Sequence, residues 1–300
     1  MFFPTSLKKN DLILVIAPAG VVTPCQLTKG LELLKQKGYE VILGKNLYHS
    51  YGPFAGTDKE RAEDLQWALN HPKAKAIWMA RGGYGSARVV DQVSWELFQQ
   101  NPKWIIGFSD ITVFHQKCQH LGIASMHGPM VAQMKEDIPT FENCIDHLEG
   151  KHTTLKWNSS LSLSENKVTG KLTGGNLSII SSLRSTPLDL IFDDQILFIE
   201  DIDEFHYNID RMLINMVLAG DFAKLKGIIV GAFTQVKEGE NPMPFDFKET
   251  IIELTQKYNI PAFFDAPIGH INENHPVILG SEVTIQSQKG EVTLSYNQKE

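Results

Sequence analysis

The sequence predicts an α/β protein that begins with a parallel sheet covered by helices on both faces and continues into a second, mixed domain. Short, continuous apolar runs alternate with amphipathic stretches through the first half, as is typical of strands buried on both sides. The alternation breaks in a polar segment and then resumes. With 300 residues and 42% apolar content, the chain is long enough for one large domain or two smaller ones.

Composition excludes several classes of protein. The net charge is −7 and long basic runs are absent, so the sequence predicts no nucleic-acid partner. No apolar stretch approaches the roughly 18 residues of a membrane span, so no membrane association is predicted. The first residues lack the layout of a signal peptide. Three cysteines at no metal-like spacing, Cys25, Cys118 and Cys144, indicate reduced packing residues in a cytoplasmic protein.

The first domain is predicted to span residues 1–135. Thr23 and Pro24 are typical of a helix start, and Gly38 of its end. Thr57 and Glu60 have capping-box spacing ahead of a second helix. Strands are predicted at the apolar runs 12–17, 39–43, 76–79, 104–107 and 124–127.

A linker is predicted at 136–167, where the pattern becomes polar, followed by a second domain at 168–300. Helices are predicted near 176–183 and 207–218. Strands are predicted at 168–172, 196–199, 227–231, 283–285 and 292–294.

Ser109 ends the apolar run 104–108 and stands directly before an amphipathic stretch. A strand, a sharp turn and a helix would place its hydroxyl at the edge of the sheet, as in a nucleophile elbow. The usual second glycine of that motif is replaced by Ile111, so the motif alone is weak. Asp110 is equally consistent with a plain helix N-cap.

A serine nucleophile needs a base and a group that orients the base. Glu200 follows the apolar strand 196–199, and His270 follows a short segment at 262–264. Ligand sites of open α/β sheets lie at the carboxyl ends of the strands, where both residues are predicted. Each also has an ordinary alternative, a solvated loop charge for Glu200 and a loop or core histidine for His270.

The glycine-rich stretch 81–86 follows a predicted strand and precedes a helix. Its spacing is not that of a phosphate-binding P-loop, because no Gly-Lys-Ser/Thr follows. We expect this loop to supply a backbone N–H opposite Ser109. A tight turn that needs positive φ remains the alternative.

The acidic run Asp201, Asp203, Glu204 and His206 resembles a set of metal ligands. It also leads into a helix, whose N-terminus favours acidic residues. The sequence therefore predicts no metal site there, and no cofactor.

Together these segments resemble the LD-carboxypeptidase family of serine peptidases. The matching stretches occur in the family's order and cover most of the chain: 81–85, 107–112, 127–130, 174–177, 200–201, 209–213, 269–270 and 276–280. The resemblance implies a flavodoxin-like first domain, a smaller second domain and a cytoplasmic homodimer without metal.

The resemblance also implies site residues. Ser109 corresponds to the nucleophile, His270 to the base and Glu200 to the residue that orients the base. The backbone N–H groups of Gly83 and Asp110 correspond to the oxyanion hole. Arg81 is a candidate for binding the substrate carboxylate, and Tyr84 a candidate substrate contact.

The activity expected from the resemblance is release of terminal D-alanine from murein tetrapeptides by cleavage of an L,D bond. One alternative keeps the triad but acts on peptidyl-nucleotide conjugates, as microcin-immunity peptidases do. A less favoured alternative is a two-lobed solute-binding protein. The chain departs from the family pattern at Ala17–Gly20 and at Arg184–Pro187, and neither stretch contains a proposed catalytic residue.

Overall fold

The computed structural model describes residues 1–135, 139–162 and 165–297. Within these residues the chain divides into two compact units. Of the described residues, those within 1–151 and 275–278 form the first unit, and those within 152–274 and 279–297 form the second. Each unit has its own sheet, so the prediction of a mixed α/β chain with two sheets is confirmed.

The first unit is built on a sheet whose strands β1 to β5 pair in parallel, in the order β2-β1-β3-β4-β5. This is the flavodoxin-like order, as the resemblance implied. The strands are β1 (Leu12–Ile16), β2 (Glu40–Leu43), β3 (Ala74–Met79), β4 (Trp104–Gly107) and β5 (Ser125–His127). The helices are α1 (Pro24–Gln36), α2 (Asp58–Asn70), α3 (Ser86–Val89), α4 (Glu96–Gln100), α5 (Thr112–His120) and α6 (Thr140–Leu148).

Local sequence explains these elements. The predicted capping box at the start of α2 forms, with the Glu60 N–H on the Thr57 hydroxyl at 3.3 Å and the Thr57 N–H on Glu60 Oε2 at 2.7 Å. Strands β1, β3 and β4 are almost wholly buried, as continuous apolar runs predict. Cys118 and Cys144 are buried, whereas Cys25 is exposed.

The second unit has a mixed sheet in the order β10-β9-β8-β7-β12-β13-β6. Strands β7 to β10 pair in parallel, and β12, β13 and β6 pair antiparallel. The strands are β6 (Leu155–Asn158), β7 (Asn166–Asn176), β8 (Gln195–Ile202), β9 (Gly227–Thr234), β10 (Ala262–Phe263), β12 (Glu282–Gln288) and β13 (Glu291–Tyr296). The helices are α7 (Leu177–Ser182), α8 (His206–Leu218) and α9 (Phe247–Tyr258).

Strand β11 (Val277–Leu279) joins the sheet of the first unit beside β5, although it is encoded near the end of the chain. The first domain was predicted to end at residue 135, and this prediction did not include β11.

The segment predicted as a linker, 136–167, contains helix α6 and strand β6. Residues 136–138 and 163–164 of it lie outside the described part of the chain. Apolar residues of α6 recur at helical spacing and are buried at Phe141, Cys144, Ile145 and Leu148. Strand β6 lies at the edge of its sheet and buries only Trp157, so its sequence looks polar. None of the helices in the described ranges is both long and apolar enough to cross a bilayer.

Candidate active site

Ser109 occupies a strained turn directly after β4. Phe108 is extended, with φ of −152°, and Ser109 then adopts a positive φ of 63° before a 3-10 turn leads into α5. Such a φ is uncommon for a residue with a side chain and is typical of strained functional sites. The serine is half-buried. The backbone therefore forms the strand–turn–helix of a nucleophile elbow.

The elbow keeps the first glycine of the motif, Gly107, although Ile111 replaces the second. A Cβ placed there would lie 3.0 Å from Ile111 Cγ1. The absent side chain leaves room for the fully buried Ile111. Close packing in this elbow is thus achieved with the glycine before Ser109 rather than after it.

The glycine-rich loop after β3 packs against Ser109. A Cβ on Gly82 would lie 3.3 Å from Ser109 Cβ and 3.5 Å from its Oγ. The Gly82 carbonyl accepts a hydrogen bond from the Gly20 N–H at 2.9 Å. Gly83 has φ of +111°, a conformation that favours glycine. The loop thus lies beside the nucleophile candidate, and its glycines permit the close approach.

Asp110 does not act as a plain cap of its own helix, which corrects that alternative. Its buried carboxylate Oδ2 accepts the Ser86 N–H at 2.8 Å and so caps the start of α3. Burial raises the pKa of Asp110, while its bonds with Ser86 and the charge of Arg61 oppose the rise. The residue after the nucleophile therefore also holds the glycine-rich loop.

Arg81 and Tyr84, the substrate-contact candidates, lie on the outer part of the same loop. Arg81 is exposed and donates from Nη1 to the Val21 carbonyl at 2.9 Å. Tyr84 is 57% exposed, and its ring centroid lies 5.7 Å from that of Phe54. Both side chains are accessible to a ligand.

In the second unit, Glu200 and His270 form a close pair. Glu200 Oε2 lies 2.6 Å from His270 Nδ1. The Glu200 side chain is fully buried, and that of His270 is 14% exposed. The carboxylate accepts, so Nδ1 carries the proton and Nε2 of the neutral ring is a proton acceptor. Within the described part of its own unit, Glu200 Oε1 has no hydrogen-bond partner.

Backbone irregularities bring the pair together. The pairing of β8 with β9 shifts register between Ile199 and Asp201, so Glu200 lies at a bulge, a feature that redirects side chains near active sites. Gly269 has φ of +123°, and a Cβ there would lie 2.9 Å from Glu200 Oε2. Asn274 Oδ1 accepts the Gly269 N–H at 2.8 Å. Sequence reasoning missed the supporting roles of Gly269 and Asn274, although a glycine beside a candidate base was a visible signal.

The neighbouring acidic run has other partners. Asp201 accepts bonds from Asn176 Nδ2 at 3.0 Å and from the Ser178 N–H at 2.8 Å. Burial, and to a lesser extent the adjacent Glu200, raises the pKa of Asp201 to about 6. Asp203 pairs with Lys237 and His206 with Glu238. Across residues 1–135, 139–162 and 165–297, no cluster of three or more potential ligands is placed to hold a metal ion.

Arg184, in the stretch that departs from the family pattern, forms ion pairs at 2.8 Å with Asp189 and at 2.6 Å with Asp221. Its guanidinium also lies over the Phe192 ring. The departure is therefore explained by packing within the second unit.

Two half-sites are thus assembled. In the first unit, Ser109, the glycine-rich loop and Asp110 lie together. In the second unit, Glu200 and His270 are hydrogen-bonded.

Both halves of the chain match models of known protein families. Residues 13–128 match the LD-carboxypeptidase N-terminal domain, and residues 169–285 match the LD-carboxypeptidase C-terminal domain. Ser109 lies in the first match, and Glu200 and His270 lie in the second.

Curated relatives resemble the chain over nearly its whole length. A putative carboxypeptidase of Synechocystis sp. is 32% identical over 98% of this chain and 96% of its own. A probable murein peptide carboxypeptidase of Bacillus subtilis is 31% identical, over 95% and 91%. The murein tetrapeptide carboxypeptidase of Pseudomonas aeruginosa is 27% identical, over 92% and 94%.

Solved structures share the fold. The muramoyltetrapeptide carboxypeptidase of Oxalobacter formigenes has a TM-score of 0.85 at 28% identity, covering 96% of this chain and all of its own. A microcin C7 self-immunity protein, solved in complex with aspartyl sulfamoyl adenosine, has a TM-score of 0.88 at 20% identity, covering 99% of each chain. The two matched domains cover more than half of the sequence, and the chain therefore belongs to the LD-carboxypeptidase family of peptidases.

Proposed function

We propose that this protein is a cytoplasmic, homodimeric serine carboxypeptidase that releases terminal D-alanine from murein tetrapeptides by cleaving an L,D bond. The buried hydrogen bond between Glu200 and His270 is the observation that carries the proposal. A carboxylate that orients a histidine is the second half of a catalytic triad. The strained Ser109 supplies a matching first half, and relatives named for murein peptides suggest the substrate.

In the proposed acylation step, His270 Nε2 takes the Ser109 proton as Oγ attacks the carbonyl carbon of the L-centre. The carbonyl oxygen becomes an oxyanion and is stabilised by the backbone N–H groups of Gly83 and Asp110. Each such donor is worth about 3–4 kcal/mol in comparable sites. Glu200 holds the tautomer of His270 and stabilises the imidazolium, without taking the proton itself.

The tetrahedral intermediate then collapses. The C–N bond breaks, His270 returns the proton to the leaving amine, and D-alanine departs. Water next attacks the acyl-enzyme, with His270 as base, and the resulting carboxylate product is released as Ser109 regains its proton. An exopeptidase also has to recognise the free terminal carboxylate, and the exposed Arg81 is the proposed cation for that contact.

The test is incubation of purified protein with murein tetrapeptide and detection of tripeptide and D-alanine by mass spectrometry. Ser109→Ala is expected to lower kcat by at least about 10³-fold, and Glu200→Gln by a similar order. Ser50→Ala, a change at an exposed serine, is the matched control and should keep wild-type turnover. Full turnover by Ser109→Ala would refute the proposal.

A second candidate function keeps the same residues and changes the substrate to peptidyl-nucleotide conjugates. The exposed ring of Tyr84, on the loop beside Ser109, is an available stacking surface for a base. Rates measured side by side on a tetrapeptide and on an aminoacyl-adenylate analogue separate the two. A higher kcat/KM on the adenylate would replace the murein assignment.

A solute-binding protein would need no activated serine. Covalent labelling of Ser109 by an active-site serine reagent, lost on His270→Ala, is expected for the peptidase. Tight tetrapeptide binding with no release of D-alanine would favour the binding protein instead.

A further inference from the structure

Arg61, in the first turn of α2, is a buried cation whose hydrogen bonds reach two loops. Its side chain is fully buried, where an unpaired charge would be costly. Nη1 donates to the Pro18 carbonyl and to the Gly85 carbonyl, the latter at 2.9 Å, and Nη2 donates to Asp58. Arg61 therefore joins the loop after β1 to the glycine-rich loop after β3.

The peptide unit between Gly85 and Ser86 is held at both of its polar atoms. Its carbonyl accepts from Arg61, and its N–H donates to Asp110 Oδ2 at 2.8 Å. Because a peptide unit is planar, these two bonds together fix its orientation. A Cβ on Gly85 would lie 2.5 Å from Arg61 Nη1, so the guanidinium occupies the space that a side chain would need. The far end of the loop is thereby tied to the residue after Ser109.

The near end of the loop is held in a similar way. The Gly82 carbonyl accepts the Gly20 N–H at 2.9 Å. This carbonyl belongs to the same planar trans peptide as the Gly83 N–H, which must point in the opposite direction. Arg61 also bonds to Pro18, two residues before Gly20. Only Gly83 and Tyr84 lie between Gly82 and Gly85, whose carbonyls are the two anchored groups. Arg61 bonds directly to Gly85 and, through Pro18, holds the segment that contacts Gly82.

We propose that Arg61 is a positioning residue for the oxyanion hole, which holds the glycine-rich loop so that the Gly83 N–H and the Asp110 N–H converge on one oxygen. The inference rests on the proposed serine mechanism and adds to it a residue that touches neither substrate nor reacting atoms. If the two N–H groups are displaced by a fraction of an ångström, the substrate should still bind normally. The oxyanion of the transition state, however, should be stabilised less.

The experiment compares kinetics on murein tetrapeptide for Arg61→Met, Arg61→Lys and Arg88→Met. Arg61→Met is expected to lower kcat 30- to 100-fold, with KM within threefold of wild type and an unchanged midpoint of the pH profile. Arg61→Lys keeps the charge and part of the hydrogen bonding, so a loss of only about tenfold is expected.

Arg88→Met is the matched control, because the Arg88 side chain bonds to the same Asp58 and, among the described residues, donates to no backbone carbonyl of the glycine-rich loop. Its kcat should stay within twofold of wild type. If Arg61→Met does not fold, as judged by circular dichroism, the lysine variant decides. A folded Arg61 variant with kcat within twofold of wild type, or an equal loss in Arg88→Met, overturns the inference. Turnover by Ser109→Ala, measured in parallel, would instead overturn the proposed function.

Discussion

Gly269 determines how closely the loop that carries His270 approaches Glu200. Its φ of +123° and the absence of a side chain allow the 2.6 Å hydrogen bond between the two residues. A Cβ at this position would lie 2.9 Å from Glu200 Oε2 and would keep His270 away from the carboxylate. The pair is therefore specified by a residue that has no functional group of its own.

Gly269→Ala is expected to lower D-alanine release more than tenfold, because the new Cβ would separate the carboxylate from the imidazole. The positive φ alone costs stability in any alanine variant, about 1 kcal/mol or more. Gly220→Ala is the matched control, since Gly220 has φ of +78° and no atom within 4 Å of a Cβ. Thermal unfolding and kcat are measured for both. Equal activity losses in the two variants would contradict the expectation.

Helix α5 is tied to the strands beside it through His115. Nε2 lies 2.8 Å from the Gly107 carbonyl and must donate to it, so Nδ1 accepts from the Ser125 hydroxyl at 2.9 Å. These bonds join α5 to Gly107, the last residue of β4 and two positions before Ser109, and to Ser125, the first residue of β5. Complete burial lowers the pKa of His115 from 6.5 to about 4, which keeps the ring neutral.

This shift predicts the dependence of stability on pH. The unfolded chain binds a proton near pH 6.5 that the folded protein accepts only near pH 4. The free energy of unfolding should therefore fall as the pH drops between these values, by up to about 3 kcal/mol from this residue. His115→Gln can still donate to Gly107 and removes this contribution. The free energy of unfolding of both proteins is measured with denaturant at pH 7, 5.5 and 4.5. An equal fall in wild type and in His115→Gln would show that His115 makes no such contribution.

Elements with a strong local pattern were predictable from sequence. Continuous apolar runs predicted strands β1, β3 and β4, and a capping box predicted helix α2. Helix α9 was missed, although Asp246 and Glu249 form a capping box ahead of apolar residues at helical spacing. Strand β6 could not be recognised, because an edge strand buries few of its side chains.

The candidate site was predictable only in part. Ser109, Glu200 and His270 follow strands, where topology places functional residues. The hydrogen bonds of Arg61 and the register shift at Glu200 depend on contacts distant in sequence, which no local pattern encodes.

At the scale of the whole molecule, the first sheet contains a strand from the far end of the sequence. Val277 and Ile278 in β11 are fully buried. Val277→Asp is expected to expose the amides of β5 to hydrogen exchange, because an unpaired carboxylate cannot be accommodated in a core. Ile214→Asp, at a 37% exposed position, is the control. Unchanged protection of β5 in the Val277 variant would show that the sheet does not need this strand.

The late position of β11 has a consequence for biosynthesis. Residues 277–279 are made only after strands β6 to β10 of the second unit. Until then the β5 edge of the nascent sheet lacks its neighbour and is open to pairing with other chains. Synthesis of the first unit thus begins before that of the second. Its sheet is completed only after most strands of the second unit have been made. A gene truncated between the two matched domains would encode a sheet without its final strand, so fusion or exchange of the N-terminal half requires this short segment to be supplied as well.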